Sequence, residues 1–315
     1  MADTTLSLLW DSTRMRLLVE LGREGSVSAA ARAVGIGQPT ASEHLRLLEA
    51  STGQRLFERN GRGSRLTEAG RVLAVRAAEA LNALAAGEEE LHALAGLEAG
   101  TVHIGASTTP GVYLLPDTLG CFRREHPNVA VEVEIASSGE ILERLLAGRL
   151  GLALVGEVEA PDRILLEPFL EDEIVGVAAP GVVTLRGGRA TPAEVSRHLV
   201  LVREHGSSTR RIAERALAEA GARPPQVWEL DSSEAIKRAA RAGLGAAFLS
   251  RLAVAEEVER GDLEAFRIAG RPRLERRLSV ARLASRPLAP SERGFLATLT
   301  RCCEKSAAYA ASCVG

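Results

Sequence analysis

The sequence is poor in cysteine and in aromatic residues, and it contains no long apolar run. Its four cysteines include the adjacent pair Cys302 and Cys303, and none shows the C-x-x-C spacing typical of zinc or dithiol sites. We therefore expect reduced, structural thiols, no metal and no other cofactor. No apolar segment approaches the roughly 20 residues of a membrane span, and the N-terminus lacks the basic start of a signal peptide. These absences predict a cytoplasmic protein without membrane contact.

An excess of charge of one sign is absent as well. The formal net charge is −2 over 315 residues, which excludes a protein that binds polyanions with its entire surface. Residues 1–66 nevertheless contain nine arginines against seven acidic residues, so a local nucleic-acid surface is expected there. With 46% hydrophobic and 25% charged residues, the composition is that of a folded protein, and the length suits two or three domains.

Apolar spacing predicts three short helices near the N-terminus. The first two cover about 11–22 and 26–35, and the third opens at 37–39 with a proline in its first turn, where a missing N–H is tolerated. On the third helix Ala41, Leu45 and Leu48 share one face and should be buried. The opposite, polar face suits a DNA major groove and comprises Gln38, Thr40, Ser42, Glu43 and Arg46.

A β-hairpin is predicted directly behind these helices. Residues 55–59 form the first strand, and 60–67 supply a glycine-rich turn and the second strand. Its four arginines, Arg55, Arg59, Arg62 and Arg65, suit phosphate oxygens because guanidinium keeps its charge and offers paired donors. A solvated surface loop is the alternative interpretation, and the preceding helices make it the weaker one.

The segment Gly25–Gly70 resembles the DNA-binding part of LysR-type transcription regulators. The resemblance lies in G-S-V-S-A-A-A-R-A-V-G-I-G-Q-P-T-A-S-E-H-L-R-L-L-E and in R-L-T-E-A-G. It implies a winged helix-turn-helix whose contacts to DNA come from the helix residues above with Ser28 and Pro39, and from the four hairpin arginines. Two positions depart from the family pattern. Gly37 stands where a serine cap is common, and Glu43 stands where a neutral or basic residue is frequent. The Glu43 carboxylate suits an acceptor role toward cytosine rather than a contact to phosphate.

A long helix is predicted from about Glu68 to Gly96, a stretch rich in alanine and without proline. Apolar residues recur along it with 3–4 spacing, interrupted by Glu88, as in two helices that wrap together. A single helix packed on its own domain would show a similar stripe. The family resemblance favours the paired form and implies a homodimer that assembles into a homotetramer. The stripe consists of Ala74, Ala77, Leu81, Leu84, Leu91 and Ala95.

From Thr101 onward, strand-like segments alternate with helical ones in two similar units, which predicts parallel strands with crossover helices. In the first unit the predicted strands are 101–106, 129–136 and 152–156, with a helix to about His126 after the first of them. The arrangement resembles the periplasmic-binding-protein fold of LysR-type effector domains.

We thus expect a multi-domain α/β protein with three parts. A winged helix-turn-helix covers 1–67, a linker helix 68–98 and an effector domain 99–315. Subdomain I of the effector domain covers about 99–164 and 270–315, and subdomain II about 165–269, with hinges near 162–166 and 267–271.

Hydroxyl side chains follow the first predicted strand of each unit, where ligands of open α/β sheets bind. With helix N-termini and a guanidinium they would suit a carboxylate, sulfate or phosphate. Simple N-caps are the alternative, and the family resemblance favours an effector site. The stretch R-E-H-G-S-S-T-R resembles members that respond to sulfur or carbon-assimilation metabolites. The candidate effector-binding residues are Ser107, Thr108, Thr109, Ser138, Ser207, Ser208, Thr209, Arg210 and Ser233.

These patterns together predict a transcription regulator controlled by a small, anionic metabolite. Its expected partners are double-stranded promoter DNA, the effector, further copies of the chain and RNA polymerase. An enzyme is not expected, because no nucleophile with an activating base and no metal spacing is recognisable. The alternative is a solute-binding or sensor protein of the periplasmic-binding fold without a DNA-binding role.

Overall fold

The computed structural model describes residues 11–60, 63–94 and 100–312. The chain begins with the helices α1 (Ser12–Glu24), α2 (Val27–Val34) and α3 (Gln38–Thr52). The antiparallel hairpin of β1 (Phe57–Asn60) and β2 (Gly63–Leu66) follows. Leucines of α1 and α3 pack with alanines of α2 into one core, which Leu56 and Leu66 extend toward the hairpin. The predicted helix-turn-helix with a wing is confirmed.

The first helix is longer than the sequence pattern predicted. It passes Gly22 and ends at Gly25, whose φ of 63° is a left-handed conformation that glycine adopts without strain. Gly22 lies inside the helix at a place where the wing packs closely against it. A Cβ at this position would lie 2.8 Å from Leu66 Cδ1.

The predicted linker helix is α4 (Glu68–Leu94), and the two halves of its apolar stripe differ in exposure. In the first half Ala77 is buried, together with its neighbour Ala78. In the second half Leu84 and Leu91 are 65% and 68% exposed. The N-terminal half of the stripe therefore packs against other parts of the chain, whereas the leucines of its C-terminal half are exposed to solvent. Ala95 lies outside the described residues.

The first α/β unit contains three parallel strands, with β3 between its two neighbours. The expected single helix up to about His126 is two helices, because Pro116 lies in the first turn of the second and has no N–H to continue an upstream helix. The elements are β3 (Gly100–Ser107), α5 (Thr108–Tyr113), α6 (Leu115–Glu125), β4 (Val129–Ala136), α7 (Ser138–Leu146) and β5 (Leu152–Val155).

The second unit repeats this pattern with β8, β9 and β10 in parallel. Its elements are β7 (Arg189–Ala190), α8 (Pro192–Val195), β8 (Val200–Val202), α9 (Ser208–Ala220), β9 (Val227–Glu229), α10 (Ser233–Arg241), β10 (Ala246–Ser250), α11 (Arg251–Glu259) and β11 (Glu264–Ile268). The last helix, α12 (Pro290–Ser312), packs on the first unit, where Phe295 lies edge-on against Phe122.

Two long antiparallel strands, β6 (Ile164–Ala178) and β12 (Leu274–Leu283), join both units into one sheet. The sheet has the strand order β4-β3-β5-β12-β6-β10-β8-β9. Neither strand was predicted. β12 pairs with the first unit through 279–281, and β6 pairs with the second through 174–177. The chain therefore crosses between the units after 162–166 and after 267–271, which corrects the expected hinge positions. Among the described helices none is long and apolar enough to cross a membrane.

Candidate DNA-binding and effector sites

Helix α3 exposes the polar face that the sequence predicted. Ala41, Leu45 and Leu48 are buried, and the residues on the other side are accessible. Glu43 accepts two hydrogen bonds from Arg46, at 3.0 and 2.8 Å, and these bonds lower the pKa of the Glu43 carboxyl. The exposed residues are Gln38, Pro39, Thr40, Ser42, Glu43 and Arg46, whereas Ser28 on α2 is half-buried.

The wing carries part of its predicted arginine cluster within the described residues. Arg55 and Arg65 are exposed, and Arg65 forms an ion pair of 2.7 Å with Glu58 on the facing strand. Arg62 lies outside the described residues, and so does the side chain of Arg59. The wing thus presents guanidinium groups on the same domain as the exposed face of α3.

The hydroxyl residues predicted for the effector site come together in a cleft between the two α/β units. Ser107 and Ser207 occupy the N-cap positions of α5 and α9 but make no capping bond with their side chains. Ser107 Oγ instead accepts a bond of 3.1 Å from the Gly156 N–H. The cleft is lined by Ser107, Thr108, Thr109, Ser137, Ser138, Arg203, Glu204, Ser207, Ser208, Thr209 and Arg276.

The centre of the cleft is Arg276, a buried residue of β12. Its Nη1 donates to Ser208 Oγ at 3.0 Å and to Thr209 Oγ1 at 2.9 Å, and its Nη2 donates to Thr109 Oγ1 at 2.9 Å. The remaining donors face Asp172, at 2.8 and 2.7 Å. All five N–H groups are therefore used. Because the three hydroxyls accept from Arg276, their own protons are free to point toward a ligand that accepts hydrogen bonds.

A second guanidinium, that of Arg203, lies at the end of β8. Its Nη1 donates to Ser233 Oγ at 2.7 Å and its Nη2 to Thr108 Oγ1 at 3.1 Å. Arg203 and Arg276 each bond to hydroxyls that follow strands of both units, so they draw the two units together. The remaining internal space is about 20 Å³, close to the size that holds one water molecule.

Two of the predicted effector residues lie outside the cleft lining. Ser233 lies behind Arg203 and accepts its hydrogen bond. Arg210 is directed away: its Nε donates to Glu214 at 2.7 Å, and its Nη1 pairs with Glu229. This placement corrects the expectation for Arg210, since two carboxylates already occupy its guanidinium. Arg203 lies in the position that was predicted for Arg210.

Polar contacts connect the effector domain with the helix-turn-helix, and Arg23 of α1 pairs with Glu134 of β4 at 3.8 Å. Helix α7 begins at Ser138 in the cleft, and the turn after its C-terminus leads to Arg149, whose Nη2 donates to Gly22 O of α1 at 2.6 Å. In the same turn the Gly148 carbonyl accepts from Asn82 Nδ2 of α4 at 2.9 Å. Burial lowers the pKa of the Arg149 guanidinium. The two ends of α7 thus touch the cleft and the N-terminal domain.

Models of known protein families match both domains of the chain. The family model "Bacterial regulatory helix-turn-helix protein, lysR family" matches residues 12–71, and "LysR substrate binding domain" matches residues 95–303. A "Probable RuBisCO transcriptional regulator" of Cyanophora paradoxa is 34% identical over 264 residues, which cover 81% of each chain. The regulator CbbR of Xanthobacter flavus is 32% identical over 297 residues, 93% of this chain and 88% of CbbR.

Solved structures show the same architecture. A full-length OxyR variant of Pseudomonas aeruginosa superposes with a TM-score of 0.73 at 23% identity and covers 93% of this chain and 94% of OxyR. The CcmR regulatory domain of Synechocystis PCC6803, in complex with 2-PG, has a TM-score of 0.58 at 26% identity, over 64% of this chain and 96% of that domain.

A winged helix-turn-helix joined by one long helix to a two-lobed binding domain defines a ligand-controlled transcription regulator. The chain belongs to the LysR family of such regulators, as the matches over both of its domains show. The predicted family, fold and function are therefore confirmed. The alternative, a sensor protein without a DNA-binding role, finds no support in these matches.

Proposed function

We propose that this regulator binds promoter DNA through the exposed face of α3 and the arginines of the wing. Thr40, Ser42 and Gln38 are exposed and can reach base edges, while Arg55 and Arg65 are placed to contact phosphates. The N-terminal domain would then supply both the contacts to base edges and the contacts to phosphates.

The ion pair on α3 bears on this proposal. Arg46 and Glu43 hold each other on the free surface, at 2.8 Å. When α3 enters the groove, Arg46 would have to exchange Glu43 for a phosphate or share its donors between the two. The pair is exposed, so this exchange costs little.

A second part of the proposal concerns assembly. The exposed leucines of α4, Leu84 and Leu91, are seven residues apart and so lie on the same face of the helix. A second copy of α4 would cover them, which supports a homodimer and, through further contacts, a homotetramer. We also place the regulator in the cytoplasm, with no catalytic role and with RNA polymerase as a partner. The division into 1–67, 68–98 and 99–315 remains part of this proposal.

The effector is proposed to be a small anion held in the cleft between the units. The main observation behind this proposal is that two buried guanidinium groups, those of Arg203 and Arg276, lie together in the cleft with several hydroxyls. The 2-PG bound by the CcmR domain and the RuBisCO regulators among the relatives support a phosphorylated or carboxylated metabolite of carbon assimilation. Opening of the cleft would admit it, because the present space is too small.

Substitution of Thr40 by alanine is expected to weaken DNA binding by about two- to tenfold, since a single hydrogen bond contributes ~0.5–1.5 kcal/mol. Thr300→Ala, an exposed threonine on α12, is the matched control and should bind as the unmodified protein does. The measurement is a gel shift on the DNA upstream of the protein's own gene, at several salt concentrations. Equal losses in both variants would contradict the proposed role of α3.

Thr108→Ala should show the reverse behaviour. Its hydroxyl faces the cleft and touches Arg203, so we expect unchanged DNA affinity without added ligand and a weakened response to 2-PG. A footprint with and without 2-PG measures this response. A variant that binds DNA more weakly without ligand, or whose footprint still changes fully with 2-PG, would contradict the division of labour between the two domains.

A further inference from the structure

The guanidinium of Arg203 already holds an acid group of its own chain. Its Nε donates to Glu204 Oε2 at 2.7 Å and its Nη2 donates to Glu204 Oε1 at 2.8 Å. This is the two-point arrangement in which arginine binds carboxylates and phosphates most strongly. The side of Arg203 that best fits an anion is therefore occupied by the neighbouring residue.

The two partners differ in their access to solvent. The Arg203 side chain is 3% exposed, whereas that of Glu204 is 25% exposed. Glu204 also begins the turn to Ser207, in which Gly206 adopts a left-handed φ of 87° and lies near Ser137 of the other unit. Glu204 lines the cleft and is partly exposed, so its carboxylate could turn into water once another anion takes its place on the buried Arg203.

The other ion pair of the cleft behaves differently. Asp172, the partner of Arg276, is fully buried and also accepts from Ser250 Oγ at 2.9 and 2.8 Å. Moving this carboxylate away from Arg276 would leave a charge without a partner inside the protein, which is strongly unfavourable. Of the two carboxylates, Glu204 is the one that can move into water when an incoming anion replaces it on Arg203.

We propose that Glu204 is a specificity-determining residue that occupies the anion position on Arg203 until the effector displaces it. This inference rests on the proposed anionic effector and adds to it. A ligand with an acid group that accepts two hydrogen bonds, such as a phosphate or sulfate, replaces the carboxylate on Arg203 and releases it to solvent. A neutral ligand cannot compensate the charge of Arg203, so the ion pair of Arg203 with Glu204 stays in place. The cleft thereby selects strongly acidic ligands over neutral analogues.

The test is a titration of the full-length protein with inorganic sulfate, followed by calorimetry. Glu204→Gln should bind sulfate about tenfold more tightly, because a neutral amide competes less well for a guanidinium than a carboxylate does. Glu214→Gln is the matched control: it removes one carboxylate from an arginine outside the cleft and should leave sulfate affinity within about twofold.

A double-mutant cycle separates displacement from a general effect of charge. In an Arg203→Lys background the gain from Glu204→Gln should fall below about threefold, because lysine lacks the two-point fork. Sulfate binding by the unmodified protein with equal or weaker binding by Glu204→Gln would overturn the role of Glu204 and leave the anionic effector standing. Absence of sulfate binding in both proteins would overturn both proposals.

Discussion

Replacing Arg276 by methionine is expected to lower the free energy of unfolding by about 3–5 kcal/mol, the usual cost of leaving one partner of a buried ion pair alone. Asp172 is fully buried, and without Arg276 it would lose its ion pair and keep the hydrogen bond from the hydroxyl of Ser250. The three hydroxyls of the cleft would also lose the donor that orients them. Urea unfolding followed by circular dichroism measures the change.

The neighbouring residue supplies the control for this prediction. Arg277 is exposed on the other face of β12, so Arg277→Met should change stability by less than about 0.5 kcal/mol. Adding Asp172→Asn to Arg276→Met should recover part of the loss, because the buried charge is then gone. If the two single arginine variants unfold at the same urea concentration, the central role of Arg276 is refuted.

The second large effect is expected for Gly70→Ala in the first turn of α4. A Cβ there would lie 1.9 Å from the Leu56 carbonyl oxygen and 2.8 Å from its carbon, which are backbone atoms that cannot turn aside. The helix and the wing would have to separate, at a cost of ~1–3 kcal/mol or more. Because the strain falls on the N-terminal domain, DNA binding should decrease with thermal stability.

The same helix contains the matching control for that substitution. Gly87 has no heavy atom within 4 Å of an added Cβ, so Gly87→Ala should stabilise the helix by roughly 1 kcal/mol. Differential scanning calorimetry compares the two variants. A Gly70→Ala protein as stable as Gly87→Ala would show that the tight contact between α4 and Leu56 can relax.

The elements predicted from the sequence were those with an apolar pattern of one clear period. Strand β4 occurs at the predicted residues, and the strands β3 and β5 differ from the prediction by one residue at one or both ends. The strands β6 and β12 escaped prediction because charged residues interrupt their apolar pattern. β6 contains Pro168 and three consecutive acidic residues, 171–173, and two of these pair with arginines distant in sequence.

The candidate site was predictable to a similar degree. Hydroxyl residues after strands indicated where the cleft lies, since the carboxyl ends of parallel strands meet there. Arg203 could have been found, because it directly follows an apolar run and begins the same R-E-H-G-S-S-T-R stretch. Arg276 had no local signal: its role depends on the long pairing of β6 with β12. Arg210 was favoured by its position after the hydroxyls, but helix α9 directs it toward Glu214 instead.

The number of residues in helix α7 sets the direction in which Arg149, after its C-terminus, points relative to the cleft at its N-terminus. With nine residues the helix is about 13 Å long and turns by about 100° per residue. One extra residue within it would swing Arg149 to another side of the axis, out of reach of the Gly22 carbonyl. Four extra residues would nearly restore the direction and shift the contact by about one pitch along the axis. The response to an anion should therefore fail with the first insertion and partly return with the second, which also restores more nearly the buried face of Ile141, Leu142 and Leu145.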